Sequence, residues 1–173
     1  MMSKLKFALY LMLIGVLNAC ALGDAINVSP LPPVTLAAPP ALNLVGVCDD
    51  TKNLETWLQI STVLRDNFQT KMNTAAVKSK ADMLVDVLSL AALRDSAFAA
   101  ATPDCAAETA MKLGDTMNQA ISAFQLYLNG SAPDLGNTIT ATNEQMDGVA
   151  AAQNDLIDRM TTQFQQQQAT AAP

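Results

Sequence analysis

Few side chains in this 173-residue chain could do chemistry: three cysteines (Cys20, Cys48 and Cys105), sixteen acids, nine methionines and no histidine. Without histidine the commonest general base, zinc ligand and haem ligand are all missing. Paired Glu-x-x-His motifs, which build di-iron centres in helical bundles, are therefore absent. No glycine-rich phosphate loop and no Gly-x-Ser-x-Gly elbow occurs. Two acid pairs sit one helical turn apart, Asp82 with Asp86 and Asp155 with Asp158. Such pairs suit a hard cation such as calcium, but no acid-rich loop accompanies them, and solvated helix faces are the favoured reading. Beyond the first twenty residues the methionines are Met72, Met83, Met111, Met117, Met146 and Met160. Thioether clusters can hold Cu(I), yet Met72, Met117, Met146 and Met160 fall on apolar helical stripes, which favours core packing. The expectation is a chain with no cofactor, no metal and no enzymatic activity.

The first twenty residues carry a sharper signal. Lys4 and Lys6 precede an apolar run from Phe7 to Leu17. This is the charged region and apolar core of a secretory signal, and the run is too short to span roughly 30 Å of hydrocarbon. It ends Leu17-Asn18-Ala19-Cys20. Leu17, Ala19 and Cys20 resemble the lipobox of bacterial lipoproteins, in which cleavage precedes a cysteine that is acylated. The resemblance covers residues 1–20 alone. It implies export, removal of residues 1–19, and lipid on Cys20 anchoring the chain to the extracytoplasmic side of a membrane. Several acyl chains give stable anchoring where one is marginal. Ordinary cleavage near Ala19 or Gly23, releasing a soluble protein, is the competing reading. Ala21 is not the aspartate that retains many lipoproteins in the inner membrane. In a two-membrane host the resemblance therefore implies the outer membrane.

Lipid on Cys20 leaves Cys48 and Cys105 as an even pair in an oxidising compartment, where a disulfide persists. Loss of Lys4 and Lys6 with the signal leaves eight basic residues against sixteen acids, a net charge of −8. Such a surface repels nucleic acid and anionic lipid. The one basic cluster is Lys71, Lys78 and Lys80, at the expected join between the first two helices.

Residues 20–47 hold Pro30, Pro32, Pro33, Pro39 and Pro40, a density no helix survives. They read as an extended tether, with 42–47 packed on the domain. The domain is 48–167 and 168–173 a disordered tail. Within it, apolar steps of three and four predict four helices. The first, about 53–73, carries Leu54, Trp57, Leu58, Ser61, Leu64, Phe68 and Met72. The second, about 74–99, carries Val77, Ala81, Leu84, Leu88 and Ala91, widened by Met83, Val87 and Leu90. Thr102-Pro103-Asp104 predicts a capped start to the third. Its stripe is Ala110, Leu113, Met117, Ala120, Ile121, Phe124 and Leu128, stopped at Asn129-Gly130. The fourth, about 134–167, carries Leu135, Ile139, Thr142, Met146, Val149, Gln153, Leu156 and Met160 in a heptad rhythm.

The fold expected is all-α, an up-down-up-down four-helix bundle with one disulfide. In this topology Cys48 and Cys105 share an end. The tether is expected to arrive there too, pointing the disulfide end at the membrane and the Lys71–Lys80 turn away. The function expected is a non-enzymatic envelope lipoprotein acting on a protein partner as scaffold, adaptor or assembly factor. The alternative is a bundle binding a small ligand in an apolar cavity lined by methionines with Phe124 or Trp57.

Overall fold

A computed structural model describes residues 33–48 and 51–171, all within a unit that begins at Pro33. The expected signal segment and Cys20 lie outside the described residues. Four helices follow one another: α1 (Thr51–Ala76), α2 (Lys80–Ala99), α3 (Ala107–Leu128) and α4 (Gly136–Ala171). A 3-10 turn at Asp104–Ala106 leads into α3. Each helix packs on the next, and α4 closes the ring on α1. The result is the all-α four-helix bundle that the periodicity predicts.

The stripes of α1, α3 and α4 face inward as expected. Trp57, Phe68, Met72, Met117, Phe124, Met146 and Val149 are fully buried. They form two apolar clusters. The larger runs from Phe68, Val149 and Met146 towards the α1–α2 turn. The smaller gathers Leu54, Trp57, Leu58, Ala106, Ala110 and Leu156 at the disulfide end. Burying side chains of this size stabilises by about 1.5–3 kcal/mol each.

The expected stripe of α2 is corrected. Its inward face is Met83, Asp86, Val87, Leu90, Ala91, Arg94, Ala97 and Phe98. Leu84, Val85 and Leu88 instead point outward, and Val77 lies in the α1–α2 turn, 86% exposed. Apolar residues lie on two sides of this helix, so hydrophobic spacing alone could not choose a face. Side-chain partners separate the faces. Asp86 meets lysines at the α1–α2 turn, Arg94 meets Asn118 of α3, and the Phe98 ring lies against Gly114. A Cβ added at Gly114 would stand 2.4 Å from Phe98 Cζ.

Three boundaries also move. The first join is at 77–79, after Asn73-Thr74, because Ser79 caps α2: the Asp82 N–H donates to Ser79 Oγ at 3.3 Å, and that hydroxyl donates to Asp82 Oδ2 at 2.6 Å. These reciprocal bonds resemble a capping box. Thr102 does not cap α3. Its hydroxyl donates to the Ala100 carbonyl, and its backbone bridges Leu44 in parallel. The fourth helix opens at Gly136, whose N–H donates to Asp134 Oδ1, and runs to Ala171, past the expected end at Gln167. The third stops where predicted, with Gly130 at φ +76°, a conformation glycine adopts without strain.

Candidate functional site

The part of the tether that is described does not hang free. Residues 33–48 lie as a strap along α2 and α3, well beyond the 42–47 expected to pack. At the far end of α3, the Val34 N–H donates to Asn129 Oδ1 at 2.9 Å. Leu36 packs on the larger apolar cluster and Leu42 on the smaller. Midway, the Ala37 carbonyl accepts a bond from Arg94 Nη2 at 2.9 Å. Arg94 is 2% exposed and also donates to Asn118 Oδ1 and Asp95 Oδ1. One guanidinium, with its rigid fork of donors, thus ties α2, α3 and the strap together.

At the strap's other end the backbone pairs. The Thr102 N–H donates to the Asn43 carbonyl, and the Val45 N–H to Thr102 O. The Asp104 N–H donates to Gly46 O at 2.9 Å. Gly46 has φ +103°, a turn that a side chain would strain. This turn delivers Cys48 to Cys105, and the two form the expected disulfide with their Cα atoms 5.7 Å apart. The Cys105 N–H also donates to Cys48 Sγ.

The strap's direction overturns one premise. The tether was expected to arrive at the disulfide end. Pro33 and Val34 instead lie at the opposite end, beside Asn129 and the α1–α2 turn. The chain upstream of Pro33 therefore joins the bundle there, and the strap carries it back to Cys48. Proline and small residues gave no periodic signal of this; the bonds that fix the strap come from residues 55 or more positions away.

The basic cluster is partnered. Lys78 Nζ lies 2.5 Å from Asp86 Oδ2, and Lys71 Nζ lies 3.4 Å from Oδ1. The Lys78 hydrogen bond leads in holding the buried Asp86 carboxyl below the usual carboxylate range, against the opposing cost of desolvation. Lys80 Nζ sits 4.4 Å from the centre of the Tyr127 ring, within cation–π reach. Beside Asp86 an open groove of about 590 Å³ runs between α1 and α2, edged by Asn67, Thr70, Lys71, Thr74, Ser89 and Ser96.

The paired acids do not make a joint site. Asp82 is occupied by the α2 cap and Asp86 by lysines, while Asp155 and Asp158 are exposed on α4. No group of three or more metal-ligating residues occurs among the described residues. Met72, Met83, Met117 and Met146 are buried in the larger cluster. Met160 packs against the smaller one, and Met111 is exposed. No described helix is long and apolar enough to cross a membrane.

A polar layer that spacing alone did not reveal crosses the α1–α4 contact between the two apolar clusters. Gln153 Nε2 donates to Ser61 Oγ at 2.8 Å, and Arg65 Nη1 donates to Gln153 Oε1. Further along, Gln69 donates to Asn143 Oδ1, and Asn143 donates to Asn73 Oδ1. Ser61 and Gln153 fall on the predicted stripes of α1 and α4; their pairing depends on the register between the helices.

Comparison with protein-family models, with curated proteins and with solved structures finds no match to this chain.

Proposed function

We propose that this chain is an exported bacterial lipoprotein, tethered by lipid on Cys20, whose bundle serves a protein partner in the envelope without catalysing a reaction. One observation carries the reading. Cys48 and Cys105 are paired, so of three cysteines only the one in the lipobox-like segment is left over. A disulfide also suits an exported chain. The docked strap adds a physical reason for the bundle's form. With residues 33–48 bound to the helices, the chain enters the bundle at Pro33. The turn end, where Pro33 leaves, is then the membrane-facing end, the reverse of the orientation expected from sequence. The disulfide end, with Val45 and Val47 exposed, is presented outward to partners.

Cys20→Ala tests the anchor. The wild-type chain is expected in the membrane pellet after carbonate washing. The variant is expected to keep its signal or to leave the membrane. Equal, stable membrane retention of a cleaved Cys20→Ala chain would contradict the proposal. Crosslinking in the native envelope tests the partner: a specific crosslinked species is expected, and a monodisperse monomer that captures nothing counts against an interaction role.

A further inference from the structure

We propose that the open groove between α1 and α2 binds a short saccharide that carries a carboxylate, a site that depends on neither the anchor nor the protein partner. The groove has a volume of about 590 Å³, within the range of about 300–1,000 Å³ usual for small-molecule sites. Its hydrogen-bonding groups set the chemistry. The hydroxyls of Thr74, Ser89 and Ser96 line it, and each donates to a carbonyl of its own helix at 2.9 Å. A hydroxyl has one proton to give, so these three oxygens meet a ligand as acceptors. They call for a ligand rich in O–H donors. A docked helix is a poor occupant, because its backbone donors are spent within itself and it would cover these oxygens without answering them. Leu93, packed on the larger core cluster, gives apolar surface beside the hydroxyls. The C–H face of a sugar ring packs there while its hydroxyls reach the edges.

Charge adds the carboxylate. The buried Asp86 in the lining is covered at Oδ2 by Lys78 Nζ at 2.5 Å. Lys71 Nζ makes the longer contact, 3.4 Å to Oδ1, and its side chain is 39% exposed. Two ammonium groups thus meet one carboxylate, and one positive charge is in excess. The acids next to the groove in sequence do not cancel it. Asp66 is paired with Arg65 and Asp95 with Arg94, each at 2.8 Å. In a chain of net charge −6 the groove is therefore a local positive site. An ammonium has three N–H donors, so Lys71 can hold a ligand carboxylate through a charge-assisted bond while Lys78 keeps Asp86 neutralised.

The test is an amide-shift titration of the full chain, held in neutral detergent micelles, with trigalacturonate as the probe. Saturable shifts are expected at residues 67–74 and 86–96, at concentrations on the order of 1 mM. Methyl esterification of the probe, or Lys71→Gln in the protein, is expected to weaken binding about tenfold. Ser96→Ala is expected to weaken it less; that position is exposed and its hydroxyl bonds within its own helix, so the fold is kept. Shifts that are absent, or that fall outside the groove, overturn the proposal. Equal binding of the acid and its methyl ester overturns the carboxylate as the recognised group. Equal shifts from inorganic phosphate at the same concentration overturn the saccharide in favour of a general anion site. Wild-type affinity in both Lys71→Gln and Ser96→Ala overturns the assignment of the groove.

Discussion

The two sides of the bundle are held by different physics. Where α2 meets α3, Phe98 closes on Gly114, and a strap lies over the contact, fixed by Arg94, a short backbone ladder and a disulfide. Where α4 meets α1, a polar layer built on Gln153, Ser61 and Arg65 separates two apolar clusters. The first side is close-packed and covalently clasped. The second exchanges apolar burial for directional bonds, each worth only about 1 kcal/mol net but costly to leave half made. The difference suggests what each side is for. The strap side fixes where the tether leaves; the α1–α4 side fixes the register of the longest helix.

Removing the clasp should have the largest effect. The Cys48–Cys105 bond spans 57 positions, and its loss in Cys48→Ser is expected to lower stability by about 4 kcal/mol, read from urea unfolding. Amide exchange should then rise at Val45, Thr102 and Asp104 before it rises along α1 and α4. Uniform acceleration would show that the two sides are not separable.

The polar layer comes next. Gln153→Ala leaves the buried Ser61 hydroxyl and an Arg65 N–H short of a partner, and should cost about 2 kcal/mol. Gln153→Met combined with Ser61→Ala removes the Ser61–Gln153 pair and should recover the share of that loss due to the buried hydroxyl, Arg65 still lacking the Gln153 acceptor. If the double variant is as unstable as Gln153→Ala, the layer contributes more than satisfied hydrogen bonds.

Glycine pairs sharpen the contrast further. Gly114→Ala drives a Cβ into the Phe98 ring and should lose about 1 kcal/mol net, overpacking outweighing the helix-propensity gain. Gly148→Ala, at the α3–α4 contact, meets only the end of the Lys112 side chain, at 3.1 Å, and should gain up to about 1 kcal/mol. Equal effects in thermal unfolding would deny that the α2–α3 crossing is the tighter one.

The smallest effect concerns pH. Asp86 has a lowered pKa in the folded chain, chiefly through its hydrogen bond from Lys78. The stability it adds is complete above the ordinary aspartate pKa of 3.8, and fades as pH falls from there through the lowered value. Asp86→Asn should flatten that acid limb of the stability curve. An unchanged acid limb would show that the lysine pair does not stabilise the fold.

Much of this architecture was legible because α1, α3 and α4 each carry one apolar stripe, and periodicity then has one solution. In α2 it has two, because Leu84 and Leu88 are as apolar as Met83 and Val87; the choice depends on partners outside the helix such as Lys78 and Asn118. The cysteine pair was readable by parity once Cys20 was assigned to lipid. The strap was not readable, since prolines announce only the absence of helix. Its direction, fixed by Asn129 and Arg94, brings Pro33 to the end opposite the disulfide and not to the disulfide end.

The central claim is the lipid on Cys20, and intact-mass analysis of the protein extracted from membranes tests it most directly. The expected species starts at Cys20, carries a diacylglyceryl group and an acyl chain, and is two hydrogens lighter for the Cys48–Cys105 bond. A mature chain with no acyl increment, or one that begins beyond Cys20, would contradict it.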